Sequence, residues 1–214
     1  MGLSLHNVRG LYVVMPDFSK EDDCLSNGAR LVAGVDEVGR GPLAGPVTAA
    51  AVVLNRACVP KGLDDSKKLS IKVRDRLFDE IMASAQVSVA HASVSEIDDL
   101  NILYASHLAM ERAVAGLPSA PCHVLVDGNM VPKKMKVPAT ALIKGDALSL
   151  SIAAASIIAK VTRDRIMVDL AQQHPGYGWE TNAGYPTKTH RSALSDLGVT
   201  PHHRRSFKTV HNML

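Results

Sequence analysis

Cysteine is scarce in this chain. Cys24, Cys58 and Cys122 are odd in number and far apart, with no Cys-x-x-Cys pair. That excludes a disulfide framework and a zinc knuckle and points to the reducing cytoplasm. No apolar stretch approaches the roughly 20 residues that a bilayer span requires, so no membrane association is expected. The first sixteen residues contain Val13-Val14-Met15 but are interrupted by His6 and Arg9, and they lack the layout of a secretory signal. Internal repeats and low-complexity tracts are missing too. There is no large charge of one sign either: the net charge is +3. It is unevenly placed, however. Residues 160–214 carry eight Lys/Arg against four Asp/Glu, with five of the nine histidines, whereas residues 1–159 carry sixteen against seventeen. An acidic portion followed by a basic one fits a polyanion held near bound cations, and it also fits a solvated basic helical surface.

What is present is the apolar content of a globular protein, 46% over 214 residues. That is enough for one packed domain, 31–214, behind a loosely held extension, 1–30, that ends in Asn27-Gly28. Residues 31–36, 46–54, 86–94, 123–126 and 139–143 read as strands, being short apolar or alternating runs bounded by turn residues. Ser70 caps a helix to about residue 85. Ser95 opens another to about residue 115, closed by Gly116 and Pro118. From 149 to about 173 the pattern is helical, with Leu150, Ala154, Ile157, Ile158 and Val161 as its stripe and Lys160 and Asp164 at salt-bridge spacing. Its run Ala153-Ala154-Ala155-Ser156 lets this helix lie close on a sheet. A Gly/Pro/aromatic loop (176–187) and a short helix (189–197) follow. Strands joined first by tight connections and then through helices indicate a mixed α/β sheet.

Four acids stand at comparable places in that sheet. Asp36 and Glu37 end the first strand and lead into Gly39-Arg40-Gly41-Pro42, Asp127 ends the fourth strand, and Asp146 follows the fifth. The carboxyl ends of strands in open α/β sheets are where sites form. Converging carboxylates repel one another unless a cation neutralises them, and oxygen-only ligands select hard ions, hence Mg²⁺ or Mn²⁺. Taken singly, an acid after a strand is an ordinary turn residue or cap; four together point to metal-assisted chemistry on a phosphodiester. Neighbours in a regular strand face opposite ways, so the chain must bend at Asp36-Glu37, with Glu37 at the strand's end. Gly39-x-Gly41-x-x-Ala44 matches a dinucleotide-binding fingerprint only superficially, because prolines and a Val/Ala run follow instead of a helix.

Gly34-Val35-Asp36-Glu37-Val38-Gly39-Arg40-Gly41-Pro42 resembles the signature opening of ribonuclease HII, the type 2 ribonuclease H of bacteria. The resemblance continues, in family order, through Asp65-Ser66-Lys67-Lys68-Leu69, Val126-Asp127-Gly128-Asn129, Lys144-Gly145-Asp146, residues 154–164, Gly184-Tyr185-Pro186-Thr187 and His203-Arg204-Arg205-Ser206-Phe207. It implies an RNase H-like fold: a mixed five-stranded sheet flanked by helices, with a small C-terminal helical portion. It further implies a monomeric Mg²⁺- or Mn²⁺-dependent endonuclease acting on RNA–DNA hybrids and on duplex DNA containing ribonucleotides, leaving 5′-phosphate and 3′-hydroxyl ends. By position, Asp36, Glu37, Asp127 and Asp146 become the metal-binding catalytic acids. Gly39, Arg40 and Gly41 become the readers of the ribose 2′-hydroxyl, and Tyr185 stacks on the following sugar. On its residues alone, Tyr185 reads equally as a half-buried anchor. Ser66, Lys67, Lys68, Lys160, Arg163, Arg204 and Arg205 are candidate phosphate contacts, and each also reads as a turn residue, a surface charge or a helix-end partner. Ala183 stands where the family often has lysine, which removes one expected backbone contact. The sister family, ribonuclease HIII, normally carries an N-terminal substrate-binding domain that thirty residues cannot supply. A non-catalytic hybrid-binding module would have no use for four acids that repel phosphate.

Overall fold

A computed structural model describes residues 5–8 and 11–214. Of the expected N-terminal extension, residues 1–4 and 9–10 lie outside the described residues. Strands β1 (Leu5–Val8) and β2 (Leu11–Val14) pair antiparallel. Helix α1 (Ser19–Ser26) follows. It departs from the expectation of a loose segment. Glu21 on this helix is buried, and its Oε1 accepts hydrogen bonds from Ser149 Oγ (2.7 Å) and Ser151 N (2.9 Å).

The main sheet contains β3 (Val32–Val38), β4 (Val47–Val53), β5 (Gln86–Ala92), β6 (His123–Asp127) and β7 (Ala139–Leu142) in the order β5-β4-β3-β6-β7. β5, β4 and β3 run antiparallel, while β6 and β7 run parallel to β3. The mixed five-stranded sheet is thus as expected, with bounds shifted by one or two residues. Helix α2 (Ile71–Ser84) starts at Ser70, whose Oγ accepts from Val73 N. The single helix expected from Ser95 is two, α3 (Val94–Leu100) and α4 (Ile102–Ala115). Asn101 breaks it at φ 67°, and its side chain accepts from the Leu103 and Tyr104 amides. An asparagine side chain competes with the backbone in this way and tolerates positive φ.

Alternation along the strands decides the layers. Ala33, Val35, Ala49 and Ala51 face α4 with Ala105, Ala109, Met110 and Ala113. Ala50 and Val52 face α2 and the long helix α5 (Leu150–Gln173). α5 is buried almost all round from Ser151 to Ala159, as an apolar helix within a core should be. The small-residue run does what its composition implies. A Cβ on Gly34 would lie 2.5 Å from the Ser151 carbonyl oxygen and closer still to Ser151 C and Ile152 N, so β3 and α5 touch backbone to backbone there. Beyond α5 a C-terminal group of helices, α6 (Trp179–Asn182), α7 (Lys188–Leu197) and α8 (Lys208–His211), packs around Tyr177, Trp179 and Leu194. Leu43 and Ala44, from the β3–β4 loop, belong to this same cluster.

Candidate active site

Parallel pairing of β3 with β6 places their carboxyl ends side by side. The register Val35↔Val126 brings Asp36 next to Asp127. After β7 the chain turns through Lys144, left-handed at φ 57°, into a single 3-10 turn (Gly145–Ala147) that carries Asp146. The turn is tied back to the strand, since Gly145 N donates to Asp127 Oδ1 at 2.7 Å. Helix α5 begins just beyond, capped by Ser149.

The four acids form one mutually repelling group. Burial raises Asp36 well above the usual carboxylate range, and the charges of Glu37, Asp127 and Asp146 push it further up. Burial also raises Glu37, opposed by Arg40, whose Nη1 donates to Glu37 Oε1 at 3.2 Å. Asp146 is pushed up to about 6 by burial, by Asp127 and by Asp65. A cleft of about 760 Å³ opens beside them, lined by Asp65, Lys67, Lys68, Asp127, Lys144 and Asp146 among others. Burial would lower the Lys67 ammonium, but Asp65, Asp36, Asp146 and Asp127 outweigh it and raise it. Among the described residues no three His, Cys, Asp or Glu side chains are closed into a ready chelate. The donor set nonetheless suits a hard cation. It is all carboxylate oxygen, and Glu37 Oε2 is buried with no hydrogen-bond partner.

Glu37 departs from its expected place. It lies inside the β3–β4 ladder, opposite Ala49, and the ladder continues to Val38↔Thr48, so the strand does not end or bend before it. Asp36 accordingly faces the α5 side and Glu37 the other, at the rim of the sheet. Past Val38 comes the loop. Gly39 has φ 95°, and a Cβ there would sit 2.6 Å from Arg163 Cδ. Gly41 is exposed, and its Cβ position lies 3.4 Å from Tyr185 Cε1, so the tyrosine ring, 40% exposed, stands against this loop.

The basic residues separate into distinct groups. Lys67 and Lys68 line the carboxylate cleft, and Lys68 Nζ donates to Asp64 Oδ1 at 2.9 Å. Ser66 is buried and its amide donates to Ser156 Oγ on α5 (3.3 Å). Lys160 pairs with Asp164 at 2.7 Å, the expected helical salt bridge, and lines a different cleft with Arg74 and Arg165. Arg205 is exposed, and its amide bonds Asp98 Oδ2.

Arg204 and Arg163 correct the expectation of phosphate contact, because both are fully buried. Arg204 donates to the carbonyls of Gly39 (2.6 Å), Arg40 (3.1 Å), Gly45 (3.0 Å) and Pro46 (3.2 Å). Arg163 donates to those of Ala44, Pro46 and Ala183. Burial brings Arg204 down to about 9, with Arg163's charge adding to it, and burial brings Arg163 down to about 10, so both stay charged at neutral pH. Behind Tyr185, its carbonyl meets His190 Nδ1 at 3.0 Å, and His190 Nε2 lies 3.1 Å from His203 Nε2.

Two cleft residues escaped the reading of the sequence. Asp65 lines the cleft and its charge helps to raise Asp146, and Lys144 lines the cleft from a turn at positive φ. Both stand inside motifs quoted for the resemblance, Asp65-Ser66-Lys67-Lys68-Leu69 and Lys144-Gly145-Asp146, without a role of their own, and that membership was the available signal.

The family model for ribonuclease HII matches residues 33–210. A ribonuclease HII of Paracoccus denitrificans is 67% identical over 199 residues, covering 93% of this chain and 95% of that protein. One of Ruegeria pomeroyi is 64% identical over 213 residues, covering 100% and 90%. Among solved structures, ribonuclease H2 from Pyrococcus horikoshii superposes with a TM-score of 0.71 at 30% identity, over 86% of this chain and 96% of that one. With the RNase H fold, the strand-end acids and this similarity over nearly its whole length, the chain belongs to the ribonuclease HII family, endonucleases of the ribonuclease H type that act on RNA–DNA hybrids.

Proposed function

We propose that this protein, besides cutting the RNA strand of hybrids, incises duplex DNA on the 5′ side of a single embedded ribonucleotide, with two Mg²⁺ or Mn²⁺ ions held by Asp36, Glu37, Asp127 and Asp146. The observation that carries the reading is the convergence of four carboxyls at adjacent strand ends, with a buried, unpartnered Glu37 Oε2, beside a glycine loop faced by Tyr185. When bound, the ions supply charge neutralisation and water activation. Asp36 and Asp127, side by side on β3 and β6, would hold the ions together with Asp146 on its 3-10 turn and Glu37 at the rim of the sheet.

Hydrolysis adds a water oxygen to phosphorus and breaks the P–O3′ bond, leaving a 3′-hydroxyl upstream and a 5′-phosphate on the ribonucleotide. Arg40, half exposed, restrains Glu37 through its 3.2 Å contact and leaves its backbone for the ribose. The 2′-hydroxyl is what distinguishes RNA from DNA at a site, and the loop is open to meet it at Arg40 and Gly41, both exposed. Tyr185 stacks on the neighbouring sugar. Lys67, Lys68 and Lys144 hold the flanking phosphates along the cleft. The protein works as a monomer in the cytoplasm.

A labelled duplex with one ribonucleotide tests this reading. A cut 5′ to the ribonucleotide is expected with Mg²⁺ or Mn²⁺ and none with EDTA. Cleavage of long hybrids without cleavage of this duplex would remove the single-ribonucleotide activity.

A further inference from the structure

Arg204 lies too deep to touch substrate, yet all its hydrogen bonds run to the loop proposed as the ribose reader. Its guanidinium spans four carbonyls on two stretches of one loop, Gly39 and Arg40 at its start and Gly45 and Pro46 at its end. Among the described residues neither Arg204 nor Arg163 appears in an ion pair, so backbone carbonyls supply the hydrogen bonds of two buried cations, with the Phe207 ring 5.1 Å from the Arg204 guanidinium.

The consequence follows from peptide geometry. In a trans peptide, C=O and the next N–H point in opposite directions, and there is no cis bond among the described residues. The Gly39 and Arg40 carbonyls aim inward at Arg204, so the N–H groups of Arg40 and Gly41 aim away from it. Both of these residues are exposed. A cation on the carbonyl side also polarises each peptide and strengthens its N–H as a donor. On the far side, Arg163 bonds the Ala183 carbonyl and Leu43 N bonds the Gly184 carbonyl at 2.7 Å, which fixes Tyr185 against the same loop.

We infer that Arg204 is a positioning residue for substrate selection: from inside the protein it orients the 39–41 peptides so that a matched pair of amide donors, and no carbonyl, faces the ribose. This rests on the reading of that loop as the 2′-hydroxyl sensor. Lysine cannot replace the fork, since an ammonium is a compact point charge that cannot span four carbonyls.

The test is Arg204→Lys, confirmed as folded by circular dichroism. Its affinity is compared, in Ca²⁺ to suppress turnover, for duplexes differing only in one ribose or deoxyribose, and its cleavage is measured in Mg²⁺. The wild type is expected to prefer the ribonucleotide duplex. The variant is expected to bind both alike with all-DNA affinity unchanged, and to lose about 100-fold in kcat/KM, the cost of a misplacement of roughly 1 Å. A discriminating variant overturns the role of Arg204 while leaving the sensor reading intact. A wild type that does not discriminate removes the sensor reading and the inference with it. If the variant does not fold, amide resonances of the wild type decide. The Arg40 and Gly41 protons must shift with the ribonucleotide duplex and not with the all-DNA duplex, and Arg204 guanidinium protons must stay protected from exchange. Unshifted amides or an exchanging guanidinium overturn the inference.

Discussion

Replacing Gly34 by alanine adds one methyl group where β3 and α5 meet. The new Cβ would lie 2.5 Å from Ser151 O and nearer still to Ser151 C and Ile152 N, whereas ordinary contact starts near 3.4 Å. All three atoms are backbone, so no side chain can swing aside, and the two elements must part by roughly 1 Å. A gap of about 1 Å forfeits up to half of each dispersion contact along the seam. The seam includes Ile152, Ala153 and Ala154, which have no room to compensate. Overpacking ordinarily costs about 1–3 kcal/mol, and this case belongs at the top, about 3 kcal/mol. In a domain of this size that lowers Tm by about 6–12 °C. Gly34→Ala should also lose activity beyond its loss of stability. Asp36 lies two residues along the same strand face, and α5 is tied to the Asp146 turn through Ser149 N and the Gly145 carbonyl at 2.8 Å. Thermal unfolding followed by circular dichroism and cleavage assayed well below Tm measure the two effects. A Tm within about 2 °C of wild type, with unchanged cleavage, would refute the close-contact reasoning.

Asp36→Asn should abolish cleavage with the fold retained, and its Tm in EDTA should not fall, because one of several mutually repelling buried charges is gone; near-wild-type cleavage would remove Asp36 from the chemistry. Tyr185→Ala should reduce kcat/KM at an RNA–DNA junction by about tenfold, the lower range of a lost stacking contact, with little change in Tm because the ring is 40% exposed; an unchanged rate would return Tyr185 to a structural role. His203 is pushed down to about 4 by burial and by His190, so the folded protein keeps it neutral where the unfolded chain, near 6.5, protonates it. Stability is therefore full above about pH 6.5 and is lost as pH falls from there towards 4. His203→Gln should lessen the slope of Tm against pH across that window, and an unaltered slope would place its source elsewhere.

The central strands and α5 are legible in the sequence because their signals are local: β-branched or alternating runs, serine caps and a small-residue stretch where a helix must lie on a sheet. The acids are legible for the same reason, each ending an apolar run. What escaped depends on contacts between distant residues. α1 is polar and reads as loose, and its anchor is Glu21 meeting Ser149 and Ser151 more than a hundred residues on. Arg163 and Arg204 look like surface charges, since nothing near them in the chain tells that remote carbonyls will accept from three guanidinium positions of each. The sequence places Glu37 at the strand's end, since two neighbouring acids serving one site would need one face. The ladder runs on through it, and its place at the rim lets it approach from the other side.

The bonds from Arg204 to Arg40 and Gly39 span 164 and 165 residues. During synthesis the loop therefore emerges long before the guanidinium that shapes it. Asp36 and Asp127 are both made before the arginine that anchors the Gly39 and Arg40 peptides. A loop made near the start of the chain thus takes its final shape only after residue 204 has been synthesised.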